Sequence, residues 1–144
     1  MYSQTEGSVF CSVIAVGSTT AASAVYGITA PTRSDGGVAA TFGGLNYTSN
    51  VYAAGLTNQT SFVNSASRNT LHKHATAFRT NDFANSYNGN IATDASGTLV
   101  SIMDRFVIGA NGNTGSPSIG NNIIASLNYY RRRLPNPKLQ ALTA

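Results

Sequence analysis

Apolar runs of strand length recur along this chain, and each is cut off by a turn signal before it could wind into a helix. The runs recur about every 8–12 residues, which is the spacing of an all-β sandwich or barrel. Residues 7–16 are rich in Val, Ile and Phe, lie between Gly7 and Gly17, and predict a first strand covered on both faces. Residues 24–29 and 38–42 predict the next two strands, joined through the turn signal Asp35-Gly36-Gly37. Within the less regular residues 47–63, residues 51–53 and 61–63 read as two short strands. Residues 70–79 alternate imperfectly. Leu71, Lys73, Ala75 and Ala77 fall on one face, and Thr70, His72, His74, Thr76 and Phe78 on the other. Residues 83–87 and 90–93 predict a hairpin about Asn88-Gly89. After a turn at residues 94–97, residues 98–103, 105–109 and 123–130 read as strands. Helix is confined to residues 137–142, with Pro137 at the start. The 144 residues are expected to form one domain, 1–144, large enough for a two-sheet core.

Charge narrows the function classes. Charged residues make up 10% of the chain, against about 25% in ordinary soluble domains. Ser, Thr, Asn, Gly and Ala take their place. That composition suits exposed β-strand faces, and equally a protein that packs against neighbours or touches sugars. The net charge of +4 is concentrated in Arg131-Arg132-Arg133 and the nearby Lys138. The remaining bases are too sparse, and too little interleaved with aromatics, for a nucleic-acid stripe, so no nucleic-acid partner is expected. No run approaches the roughly 20 apolar residues of a membrane helix, and no membrane insertion is expected. The first six residues carry no signal-peptide pattern, so either synthesis in a cytoplasm or excision from a longer chain is expected. The single cysteine, Cys11, sits in the first strand and reads as a small buried hydrophobe.

The run Ala77-Phe78-Arg79-Thr80-Asn81-Asp82-Phe83-Ala84-Asn85-Ser86-Tyr87-Asn88-Gly89 resembles the middle of concanavalin A-like (laminin G-like) domains of bacteriophage proteins. Asp104-Arg105-Phe106-Val107-Ile108-Gly109 is similar to their next strand. Leu127-Asn128-Tyr129-Tyr130-Arg131-Arg132-Arg133-Leu134, followed by Leu139-Gln140-Ala141-Leu142-Thr143, is similar to their ending. The resemblance covers roughly the last 70 residues, and the earlier part fits as a strand pattern. Asn121-Asn122 stand where the family often has Gly, and Arg131 where it often has Pro after the tyrosines. These departures alter a turn and a corner, where ligand contacts vary, rather than the core.

The resemblance implies a jelly-roll sandwich of two antiparallel sheets, the concanavalin A-like lectin type. It further implies a non-catalytic virion structural protein, made in the host cytoplasm and placed on the virion surface. The first expectation is a capsid decoration or cement protein on the head. The alternative is a glycan-binding receptor-recognition domain at a tail-fibre tip. The partners implied are other virion proteins (the major capsid protein or fibre subunits), further copies of the chain, as a trimer by analogy with threefold axes, and a host surface glycan. No cofactor is implied.

The candidate chemistry is limited. Glycoside hydrolysis needs two carboxylates about 5–9.5 Å apart. The acids are Glu6, Asp35, Asp82, Asp94 and Asp104, and no two lie at i and i+2 or i+4. No catalytic residue is assigned. Asp82 and Asp94, with Asn81 and Asn85, could frame a weak calcium site, or simply bond their own turns. His72 and His74 share one strand face as half of a zinc site would, but no third His exists, and no metal site is assigned. Tyr47, Tyr52 and Tyr87 lie near turns and offer stacking faces to a sugar, or pack on strand faces. Tyr129 and Tyr130 must point to opposite faces of their strand. Arg131, Arg132 and Arg133 are candidates for a subunit or shell contact, since Arg suits interface ion pairs, or for a solvated strand end.

Overall fold

The computed structural model describes residues 5–16, 23–30, 37–53, 57–100, 103–109 and 121–144. The strands are β1 (Glu6–Ala15), β2 (Ser23–Thr29), β3 (Gly37–Gly43), β4 (Asn46–Tyr52), β5 (Asn58–Ser65), β6 (Leu71–Arg79), β7 (Phe83–Tyr87), β8 (Asn90–Asp94), β9 (Arg105–Ile108) and β10 (Asn122–Tyr130). One helix follows, α1 (Asn136–Thr143). The strands form two five-stranded sheets, ordered β10-β1-β6-β7-β8 and β5-β4-β3-β2-β9, with antiparallel pairing throughout. They face each other as the jelly-roll sandwich that the resemblance implies, within the sandwich-or-barrel class that the strand spacing predicts.

Alternation decides which side chains fill the space between the sheets. β1 contributes Val9, Cys11, Val13 and Ala15 to the core. From the opposite sheet come Tyr26, Ile28, Val38, Ala40, Phe42, Tyr47 and Val51. The parity expected for β6 holds, and the side that turns inward is the more polar one. His72, His74 and Thr76 are buried along with Phe78. The other side of β6 lies beneath α1, where Leu139 rests on a floor of Ala75, Ala77 and Ala84. The end of the helix is fixed by Thr143, whose hydroxyl lies 2.7 Å from that of Ser86 and accepts from the Gly89 N–H at 3.1 Å.

The Asn88-Gly89 hairpin forms as expected. Asn88 and Gly89 both have positive φ, at 46° and 80°, as a tight hairpin turn with the strands' own twist requires. β4 and β5 run longer than the two short strands expected, because their Asn, Ser and Thr weaken the apolar pattern while the alternation of Tyr47, Ser49 and Val51 persists. Residues 98–100 and 103–104 are not a strand, contrary to expectation. This stretch leads from β8, at one edge of its sheet, to β9, at an edge of the other. Its apolar residues Val100 and Met103 join the core from this connecting segment. The Asp35-Gly36 part of the β2–β3 turn and the Gly/Asn-rich residues 110–120 lie outside the described residues.

Candidate functional site

Polar chemistry gathers in two places, one inside the sandwich and one at the end of β10. The interior seam stitches the two sheets together. The Tyr47 hydroxyl meets His74 Nδ1 at 2.5 Å, and the Tyr26 ring stacks on the same imidazole with centroids 5.9 Å apart. The Ser49 and Thr76 hydroxyls lie 2.8 Å apart. Asn85 Nδ2 donates to Thr76 Oγ1 at 3.2 Å, and Asn64 Nδ2 donates to Asn85 Oδ1 at 3.1 Å. His72 Nε2 lies 2.6 Å from the Ser67 carbonyl, which can only accept, so the proton sits on Nε2. In the neutral ring, Nδ1 then accepts from the Tyr87 hydroxyl at 2.7 Å. Burial, with the neighbouring His72 in second place, pushes the His74 pKa down to about 3, and burial raises that of Tyr47. Among the described residues the seam holds no acid, and its Tyr–His pairs are buried away from any substrate. It is structural.

The sequence candidates for a sugar platform therefore divide. Tyr47 and Tyr87 are interior residues of this seam and present no face to solvent. Tyr52 is half-buried on the outward side of its sheet, opposite Gly37. The calcium candidates are committed elsewhere. Asn85 belongs to the seam, and Asn81 Oδ1 accepts from the Gly97 N–H at 3.2 Å. Asp94 Oδ1 accepts from the Ser96 N–H and hydroxyl, each at 2.9 Å. Among the described residues no three His, Cys, Asp or Glu side chains gather as a metal site would need. Cys11 is buried, and burial pushes its thiol up to about 12.

The second place is an open groove of about 390 Å³ at the end of β10, lined by Tyr129, Tyr130, Arg131, Arg132 and Leu134. The strand's alternation sends Tyr129 inward, where its ring meets Phe106 edge-on at 6.2 Å. Gly7 makes room for it, because a Cβ there would stand 3.1 Å from the Tyr129 ring and 2.5 Å from Phe78. Tyr130, opposite Ser8, points to the outer side.

Beyond Tyr130 the chain turns a corner that β1 clamps. The Ser8 hydroxyl donates to the Arg132 carbonyl at 3.0 Å and accepts from the Leu134 N–H at 2.9 Å. Glu6 accepts from the Arg133 N–H at 3.2 Å. Of the three arginines expected to face a neighbour, Arg133 folds back into its own chain. Its side chain is only 9% exposed and pairs with Asp82 at 2.8 Å, while Asp82 also holds Arg79 at 2.5 Å. Arg131 and Arg132 remain exposed beside the two tyrosines. Glu6 and Asp82, far apart in sequence, thus converge on Arg133, where both carboxylates are engaged. Sequence reasoning picked out the Tyr and Arg residues of this corner but not Ser8 and Glu6, whose types and positions carry no signal until β1 and β10 are paired.

No protein-family model matches the sequence, and no curated protein does. Solved structures do match in fold. The CBM40 domain of the Ruminococcus gnavus IT-sialidase, bound to α2,3-sialyllactose, superposes with a TM-score of 0.75 at 14% identity, over 99% of this chain and 84% of that one. The binding domain of botulinum neurotoxin serotype D gives 0.73 at 9% identity, over 98% of this chain and 36% of that one. A Trypanosoma rangeli sialidase in complex with 2,3-difluorosialic acid gives 0.72 at 15% identity over 96% of this chain, and this chain spans 23% of its length. At these identities the likeness is one of fold, a lectin-like β-sandwich.

Proposed function

We propose that this chain is a non-catalytic carbohydrate-binding sandwich whose sugar site is the groove at the end of β10, serving as a receptor-recognition module. The observation that carries this reading is the corner itself. The outward Tyr130, Leu134 and two exposed arginines line one open groove, and β1 holds the backbone that presents them. Its volume lies within the range of about 300–1,000 Å³ usual for small-ligand sites. Support also comes from the neighbours of like fold, one a CBM40 domain bound to a sialylated sugar and another a toxin binding domain. The engagement of Glu6 and Asp82 by Arg133 supports binding without hydrolysis, since neither carboxylate stands ready as acid or nucleophile.

A glycan array followed by calorimetry tests the reading. Selective binding that Tyr130→Ala weakens about tenfold, with the fold intact by circular dichroism, is the expected result. Indifference to Tyr130→Ala, or cleavage of any member of a polysaccharide panel, would overturn it.

A second reading, a capsid decoration subunit, is favoured by a different surface. Ile123, Ile14 and Leu71 line up across β10, β1 and β6, with Ile123 57% and Leu71 48% exposed. An apolar row crossing three strands suits contact with a neighbour. Cryo-electron microscopy of particles bearing the protein would decide, with density on the shell supporting decoration and density at fibre tips supporting recognition.

A further inference from the structure

We infer that the groove selects saccharides carrying an oxyanion, a carboxylate or a sulfate, and that Arg131 and Arg132 read that group; this rests on the glycan-binding reading above. Two arginines and no acid are among the residues that line the groove. The described acids are engaged elsewhere. Glu6 and Asp82 are held by Arg133. Asp94 bonds its own turn, and Asp104 lies 3.8 Å from Arg105. The positive charge at the groove therefore has no counter-charge from its own lining.

Geometry favours a small anionic ligand over a polymer. Arg133 leaves the surface and pins the corner, so the two remaining arginines project from a backbone that Ser8 and Glu6 hold on both sides. A guanidinium fork matches a carboxylate or sulfate with two parallel hydrogen bonds, and its planar shape is preorganised, so less freedom is lost for each bond formed. A nucleic acid wants a basic stripe, which two adjacent arginines do not form. The Tyr130 ring and Leu134 give the uncharged face of a sugar ring an apolar wall, so charge and shape would be read together.

The experiment titrates the whole chain with lactose, sialylated lactose and sulfated lactose, alongside R131Q, R132Q and the double variant. An R131K/R132K chain keeps the charge but loses the fork. The expected result is that at least one anionic sugar binds about tenfold or more tightly than lactose, the range of a charge-assisted hydrogen bond. The double Gln variant should weaken the anionic sugar about tenfold or more beyond any effect on lactose, so that the two bind at a common level. The Lys variant should recover only part of the difference, and added salt should weaken the anionic sugar selectively. The sialylated and sulfated arms tell which oxyanion is read. Equal binding of lactose and both anionic sugars, unmoved by the Gln variants, would overturn the inference and leave the glycan reading standing. Binding of no saccharide would remove both. Binding of polyglutamate or single-stranded DNA as tightly as of the sugars would show bare charge attraction and would also overturn the inference.

Discussion

Arg133 shows how one residue type takes opposite roles within a triplet. Its side chain is nearly covered and shares Asp82 with Arg79, whereas Arg131 and Arg132 stand in solvent. Arg133→Ala would leave Asp82 short of one partner and remove one tie on the corner, which Ser8 and Glu6 still hold through its backbone. It should cost about 2 kcal/mol in urea unfolding, below the 3–5 kcal/mol of a fully buried pair because Asp82 keeps Arg79 and some solvent. Arg132→Ala should stay within about 0.5 kcal/mol, as an exposed position does. His74 makes a second prediction. Its folded pKa of about 3 lies below its ordinary value of 6.5, so between those values the unfolded chain binds a proton that the folded chain refuses. Its contribution is fully present above pH 6.5 and declines as pH falls toward 3, by about 1.4 kcal/mol per pH unit. Urea midpoints between pH 6.5 and 5 should fall accordingly in the native chain, and the slope should flatten in His74→Phe. The parity that put His72 and His74 on one face was legible in the sequence. That this face is the interior was not, because a His-His-Thr row looks exposed until Tyr47, Ser49 and Tyr87 arrive opposite it.

Elements were legible where turn or loop signals bounded a run of strand length. β1, β6 and the β7–β8 hairpin emerge for that reason, and α1 because Pro137 sits in its first turn. Residues 98–100 and Met103 were misread because an apolar run does not say whether it lies within a sheet or joins the core from a connection. For a related reason the sequence leaves Tyr47 and Tyr87 open between sugar platform and strand-face packing. Nearness to a turn in sequence says nothing about depth when the strand's inward face includes its terminal residues. The helix depends on a single large side chain. Leu139 is fully buried on Ala75, Ala77 and Ala84, whose small size leaves the sheet a shallow bed for it. Leu139→Ala should cost about 2–4 kcal/mol, since a floor of alanines cannot rise to fill the gap. Hydrogen exchange should show the amides of α1 losing protection before those of β1 and β6. Equal loss across the sheet would mean that the helix is integral to the sandwich rather than laid upon it.

At the scale of the whole molecule the question is what makes two sheets of small, uncharged residues choose one way to stack. Apolar contacts alone are permissive, since Val, Ala and Phe tolerate sliding, whereas hydrogen bonds between sheets do not. The seam supplies those bonds at fixed positions. Tyr47 meets His74, Ser49 meets Thr76, and Asn64 meets Asn85, each pair joining one sheet to the other. Thr76 is the hinge of this set, because its hydroxyl is near that of Ser49 and also accepts from Asn85. Thr76→Val keeps the volume but strands a buried hydroxyl and a buried amide, so it should cost about 1–3 kcal/mol. Ser49→Ala removes the hydroxyl stranded by that change. The double variant should therefore be less destabilised than the sum of the two single ones, a coupling readable in a double-mutant cycle. Additive losses would mean that the two sheets do not communicate through this pair, and that apolar packing alone sets how they stack.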